Sequence, residues 1–307
     1  MPEPVIVIEG LRKSYGDVEA VRGLDLVVES RQIHAVLGPN GAGKTTTLEI
    51  LEGYVERDAG RVSVLGVDPA DATSDWRQRI GIVLQETALE TLLTVRESLE
   101  LYAGYYASPR PVDEVIELVG LQEKDAVRAG RLSGGQKRRL DVGIALIGDP
   151  DLLFLDEPTT GFDPSARRQA WQMIAGLREI GKTVLLTTHY MEEAQFLADR
   201  VAVVNRGRVV ADDTPGRLGD RENLPTRISF HLPPGFDPVA ASSIAGFEVT
   251  VVNGEGPGEG PGAVFASTAP TRDLNRLTEW AISSGIELSG LEVRRPSLED
   301  VYLELTS

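Results

Sequence analysis

Apolar and polar positions along this chain follow two patterns. Near the start, short runs of strand type succeed one another: VIVIEGL at 5–11, DLVVES at 25–30 and HAVL at 34–37, with turns at Gly16-Asp17 and Ser30-Arg31. GRVSVLGV at 60–67 predicts another strand. Three further runs are apolar almost throughout: IGIVLQ ending at Gln85, DLLFLDE at 151–157, and TVLLTTH ending at His189. Unbroken apolar runs suit parallel strands buried on both faces. Helical spacing takes over elsewhere. TTTLEILEGY from Thr45, KRRLDVGIALIGDP after Gln136, and residues 164–180 read as helices. So do residues 88–147 as a whole, interrupted at Pro109 and Pro111, with Leu92, Val95, Leu99 and Tyr102 as a core-facing stripe.

After Leu218 the texture changes. Residues 227–232 and 247–252 alternate as strands, and AVFAS at 263–267 is a third. The low-complexity loop NGEGPGEGPG lies at 253–262. Residues 272–284 predict an amphipathic helix with Leu274, Leu277, Trp280 and Ala281 on one face. Ser297 and Asp300 form a capping box for the last helix. The boundaries expected are 1–220 for a large domain and 221–307 for a small α+β accessory domain that contains no catalytic constellation.

Chemistry concentrates at the ends of the apolar runs. Residues 38–45 read GPNGAGKT, the G-x-x-x-x-G-K-T spacing, between a strand and a helix start. Gly38, Gly41 and Gly43 permit a tight turn whose N–H groups point inward. With Pro39, Asn40 and Ala42 they make a phosphate cradle at a positively polarised helix start. Lys44 would reach the β- and γ-phosphates, Thr45 would give its hydroxyl to Mg²⁺, and Thr46 would approach the α-phosphate. A glycine-rich turn with a chance Lys-Thr has the same spacing, and the acids decide between the two. Asp156 and Glu157 close the run LLFLDE. By itself such a pair also reads as the start of a solvated turn before Pro158. A phosphate cradle needs such acids: Asp156 to hold Mg²⁺ through water, Glu157 to polarise the attacking water. Gln85 and His189 end two further strand-like runs. There the amide would sense the metal and the water, and the imidazole would contact the γ-phosphate. His34 and His231 have no such context and read as packing or surface residues.

Residues 132–136 read LSGGQ. Alone, this is a loop or a helix start with Ser133 as N-cap. With Tyr15, GPNGAGKT, Gln85, LLFLDE, Asp163 and His189, in that order, it gives the chain its resemblance to the ATP-binding subunit of an ABC transporter, over roughly residues 5–220. The resemblance implies an α/β fold: a P-loop NTPase core of ABC type, with an antiparallel β subdomain and an inserted helical subdomain. It implies ATP and Mg²⁺ as ligands and ATP hydrolysis as the activity. Two such domains would stack head to tail, so that Ser133, Gly134, Gly135 and Gln136 act on the nucleotide of the partner. Tyr15 would stack on adenine, and Asp163 would carry the signal between sites. Phe162 stands where leucine is common in the family, and keeps an apolar contact. The tail and its SLEDVYLELT ending resemble the subgroup that serves drug and antibiotic exporters with separate permeases.

Charge and composition narrow the partners. The net charge is −16, against the basic surface that nucleic-acid binding needs, so no nucleic-acid partner is expected. The chain contains no cysteine, hence no disulfide framework or thiolate metal site. No apolar stretch approaches the roughly 20 residues that span a bilayer. The start of the chain has no secretory pattern. The expectation is a peripheral protein on the cytoplasmic side of the membrane. Its partners would be a second ATP-binding subunit, either another copy of itself, which the complete signature and catalytic set favour, or a related chain, together with separate transmembrane permease subunits, and it would drive export. The ATPase of an importer, or a soluble ATP-dependent switch, are the alternatives. The segment after Gln85, residues 86–93, would face the permease.

Overall fold

The computed structural model describes residues 4–85, 89–220, 224–232, 243–252 and 262–306. The chain forms two compact units, Met1–Leu218 and Gly219–Leu305. In the first, the elements run β1 (Pro4–Tyr15), β2 (Val18–Glu29), β3 (Ile33–Leu37), α1 (Lys44–Leu51), β4 (Ala59–Val64), α2 (Ser74–Arg77), β5 (Ile80–Val83), α3 (Val95–Ala103), α4 (Val112–Leu118), α5 (Gly134–Leu146), β6 (Leu152–Asp156), α6 (Pro164–Glu179), β7 (Thr183–Thr188), α7 (Met191–Leu197), β8 (Arg200–Asn205) and β9 (Arg208–Asp213).

The runs predicted as buried strands make the central sheet, ordered β5-β6-β7-β3-β8-β9. The first four neighbours pair in parallel. Every residue of β3, β6 and β7 is buried, as a sheet covered on both faces demands. Parallel strands share one carboxyl edge, so the loops after β5, β6, β7 and β3 emerge together. The alternating runs near the start behave differently. β2-β1-β4 form an antiparallel sheet whose inward residues, Ile6, Ile8, Leu24, Leu26 and Val62 among them, share one core with α1 and the central sheet.

Helices α3, α4 and α5 form the insert between β5 and β6. Thr94 caps α3 with a capping box closed by Glu97. Here the structure corrects the predicted stripe. Val95 and Leu99 are buried, but Leu92 lies before the helix and is 70 % exposed. Thr94 ends the helical register, so Leu92 never joins the face that its spacing suggested. Gly143 on α5 explains the close packing of this insert: a Cβ there would stand 3.3 Å from Leu99 and 3.4 Å from Val115.

In the second unit, β10 (Thr226–His231), β11 (Ser243–Ile244), β12 (Phe247–Glu248), β13 (Thr250–Val252), β14 (Gly262–Ser267), α8 (Pro270–Ser284), β15 (Ser289–Arg294) and α9 (Leu298–Thr306) follow. The sheet is antiparallel, ordered β13-β14-β10-β15. Ile228, Phe230 and Phe265 from the sheet pack with Leu277 of α8. The strand predicted over 247–252 is two short strands broken at Val249, whose side chain is buried. Ser297 accepts from the Asp300 N–H at 3.1 Å, and the Asp300 carboxylate accepts from the Ser297 N–H at 2.6 Å, closing the predicted capping box. The low-complexity loop over 253–261 lies outside the described residues, as do residues 86–88 of the segment after Gln85.

Candidate functional site

The loop after β3 turns on glycines that nothing else can replace. A Cβ on Gly38 would stand 2.4 Å from the Val204 carbonyl oxygen. Gly43 has φ 100°, and its Cβ would meet the Ala20 carbonyl oxygen at 2.4 Å. Both contacts are with backbone that cannot move aside, and the second also needs the left-handed conformation. The turn delivers Lys44 as the first residue of α1, and this helix has no side-chain cap. Its first N–H groups therefore face the loop with the positive end of the helix dipole behind them.

Lys44 is buried, and its ammonium donates to the carbonyls of Gly38 at 2.9 Å and Pro39 at 3.2 Å. It lies 3.6 Å from Glu157 Oε1. Burial pushes the Lys44 amine below its ordinary value, opposed by the charges of Glu157 and Asp156. The Thr45 hydroxyl lies 3.2 Å from Asp156 Oδ2, while the Thr187 hydroxyl donates to the other oxygen of Asp156. Glu157 is bound from three sides. His189 Nδ1 stands 3.2 Å from Oε1, the Thr160 hydroxyl donates to Oε2 at 3.0 Å, and the Glu157 N–H donates to the Thr187 hydroxyl at 3.0 Å. Burial pushes the Glu157 carboxyl up. The neighbouring His189 imidazole, the Thr160 hydrogen bond and the Lys44 charge outweigh that and hold it below its ordinary value. The balance therefore favours the ionised form of Glu157.

These groups border one open cleft of about 770 Å³. Tyr15, Asn40, Gly41, Gly43, Thr45, Thr46, Gln85 and His189 line it, with Lys44 and Glu157 at its floor. Tyr15 is half-exposed there. Asp156 joins through Thr45. Ala42 is buried behind the loop, its N–H donating to the Pro39 carbonyl. Two predicted groups are not brought to this cleft. Ser133 caps α5, accepting from the Gln136 N–H at 3.3 Å, while Gln136 Oε1 accepts from the Ser133 N–H at 3.0 Å. Gly134 and Gly135 open the helix beyond them. Asp163 caps α6, accepting from the N–H groups of Ser165 and Ala166 at 2.9 Å each.

Sequence reasoning passed over several residues of the cleft and its supports, Thr160, Arg206, Thr187 and Arg138 among them. Thr160 and Arg206 line the cleft, Thr187 holds Asp156 and the Glu157 backbone, and Arg138 binds the backbone on either side of Glu157. Only the run of hydroxyls in TVLLTTH carried any signal for them. Among the described residues no cluster of three or more His, Cys, Asp and Glu side chains could hold a metal ion. A cation here would be met by the Thr45 hydroxyl, the Asp156 carboxylate, the Gln85 amide at the rim and oxygens from outside the protein. That sparse set of hard oxygen donors is the kind Mg²⁺ takes beside a phosphate chain.

A family model described as "ABC transporter" matches residues 21–160, and one described as "ABC transporter domain-containing protein-like, C-terminal domain" matches residues 226–297. The daunorubicin resistance ATP-binding protein DrrA3 of Streptomyces coeruleorubidus is 39% identical over 320 residues, covering 100% of this chain and 97% of that protein. The Nod factor export ATP-binding protein I of Rhizobium sp. (strain N33) is 40% identical over 313 residues, covering 100% and 98%. Among solved structures, cbiO1 of Clostridium perfringens, part of an ABC transporter complex, superposes with a TM-score of 0.64 at 26% identity, over 70% of this chain and 90% of that one. A dimeric ATP-binding cassette in a post-hydrolysis state with ADP and Pi gives 0.60 at 26%, over 68% and 98%.

Proposed function

Because this chain belongs to the ABC transporter family of ATP-binding proteins, we propose that its two units, divided near residues 220–221, together serve ATP hydrolysis that energises export of a small molecule through separate permease subunits. The observation that carries the reading is the convergence of Lys44, Thr45, Asp156, Glu157 and His189 at the carboxyl edge of four adjacent parallel strands. Phosphoryl transfer to water asks for neutralised phosphate oxygens and a positioned water. Lys44 and the N–H groups of the loop meet the β- and γ-phosphates, and Thr46 the α-phosphate. Thr45 and Asp156, with Gln85 at the rim, would hold Mg²⁺, which would supply charge neutralisation when bound. Glu157, ionised and oriented by His189 and Thr160, accepts the proton of the attacking water. His189 also faces the γ-phosphate, and Tyr15 offers its ring to adenine.

Ser133, Gly134, Gly135 and Gln136 act in trans. They stand outside the cleft, and their helix start presents N–H groups to an anion, so the nucleotide they serve belongs to a second subunit. Asp163, capping α6 near the same loop, links the two sites. The relatives named for daunorubicin resistance and Nod factor export match over the whole chain, tail included, which favours export over import.

Among the described residues no helix is long and apolar enough to cross a membrane. The proposal includes a separate permease and a peripheral position on the cytoplasmic face, on the strength of the export relatives. The surface offered to that permease lies beside a cleft of about 350 Å³ between α1 and the helical insert. Tyr54 lines it and is exposed, and Leu84 before Gln85 and Leu92 after it are exposed as well. Solvent-facing aromatic and leucine side chains in such a group mark a partner surface.

The mass of the full-length Glu157→Gln variant in solution, with and without Mg·ATP, tests this reading. A monomer that becomes a dimer only with Mg·ATP supports the action of LSGGQ in trans. A monomer under both conditions, even with the co-expressed permease, counts against it.

A further inference from the structure

Arg138 sits one turn into α5, only 5 % exposed, and its guanidinium faces the central sheet. All three of its nitrogens donate to main-chain carbonyls. Nη2 donates to Asp156 O at 2.7 Å and Nε to Pro158 O at 3.2 Å, while Nη1 donates to Leu84 O. The three acceptors come from two loops far apart in sequence. Asp156 and Pro158 are the residues on either side of Glu157. Leu84 is the residue before Gln85. This cation spends its donors on holding backbone.

The backbone held there is unusual. Glu157 has φ 44°, in the left-handed region that a non-glycine residue occupies only when its surroundings enforce it. The Thr187 hydroxyl accepts from its N–H on one side. Arg138 grips the carbonyls before and after it on the other. The carboxylate direction follows from that backbone, because a side chain cannot aim independently of the turn that carries it.

We propose that Arg138 is a positioning residue for hydrolysis: it locks the strained Glu157 turn and the Gln85 loop to α5, the helix whose start carries Ser133. The inference rests on the reading of Glu157 as the acceptor of the water proton. It adds that the helix serving the neighbouring subunit's nucleotide also fixes the base of its own site. Misplacing a catalytic group by about 1 Å costs on the order of 10²-fold in rate without needing to change ground-state binding. Arg138 therefore acts on kcat and leaves ATP affinity alone, since Lys44 and the cradle carry that affinity.

The experiment is a double-mutant cycle on the full-length chain, reading phosphate release and ATP affinity. Arg138→Met removes the three donors while keeping apolar bulk, and Arg138→Lys keeps the charge but not the fork. The expected result is a kcat lower by ~10- to 100-fold in Arg138→Met, with partial recovery in Arg138→Lys and ATP affinity within about 3-fold of wild type. In the Glu157→Gln background the same substitution should lower the residual rate by a clearly smaller factor than in the wild-type background, because the chief group it positions is gone and only the Gln85 loop remains to be held. An equal fold loss in both backgrounds, a kcat near wild type, or an affinity loss that tracks the rate loss overturns the proposal. If Arg138→Met does not fold, Arg138→Lys carries the same cycle. The Glu157→Gln single variant separately decides the base: wild-type turnover there removes Glu157 from its role, whatever Arg138 does.

Discussion

At the scale of single residues, the site is built by holding a few groups against their preferences. Glu157 is the clearest case. Its backbone is in a costly conformation and its carboxyl is partly buried, yet the neighbouring His189, the Thr160 hydrogen bond and Lys44 hold its pKa below the ordinary value. Its neighbour Asp156 is held instead by the hydroxyls of Thr45 and Thr187. Two adjacent carboxylates thus have separate side-chain partners. Replacing Glu157 by Gln keeps the shape and one acceptor but removes the basicity. Turnover should fall by ~10²–10⁴-fold, the usual worth of a general base, with ATP still bound. Single-turnover phosphate release alongside nucleotide titration checks this, and equal losses in binding and rate would point to a structural defect. Gly38 and Gly43 make the complementary point: their value lies in the atoms they lack, since Val204 O and Ala20 O stand where a side chain would begin.

At the scale of elements, legibility follows burial. IGIVLQ, LLFLDE and TVLLTTH announce themselves because strands covered on both faces need apolar residues at every position. The groups that end them were therefore legible too: Gln85, Asp156, Glu157 and His189. Leu92 was misread because spacing alone cannot see the cap at Thr94 that starts the helix after it. Strand β15 escaped notice because every one of its six residues is exposed, so no burial pattern is imposed on it. Arg138 could not be read either. Its acceptors are backbone carbonyls from three sequence positions, and carbonyls leave no mark in a sequence.

Element packing also sets a pH response. Glu52 caps the end of α1, buried, and burial together with the charges of Asp156 and Glu49 pushes its carboxyl up to about 8. In the unfolded chain it titrates near 4.5. Between these values the folded protein holds a proton that the unfolded chain has released, so stability falls as pH rises through that window. Thermal melts of wild type and Glu52→Gln from about pH 5 to about pH 8 should diverge, with the variant gaining relative stability towards the alkaline end. Parallel curves would mean that Glu52 is not carrying the proton.

At the scale of the molecule, the chain joins a catalytic unit to a second unit that has its own sheet, helix and core. The cleft residues all belong to the first unit. We expect the value of the second to lie in assembly: a chain ending near residue 224 should bind ATP as the full protein does but form a weaker dimer or permease complex. Sedimentation with Mg·ATP and co-purification with the permease measure this, and identical assembly of the two forms would leave the tail without that role.

The cap at Ser133, standing apart from the cleft that holds Lys44 and Glu157, has a consequence for kinetics. If every cleft is completed only by another molecule, the catalytic entity is a pair, and dilution removes it. Below the dissociation constant of that pair, the rate should grow with the square of protein concentration instead of linearly. Specific activity then becomes a property of the solution rather than of the polypeptide.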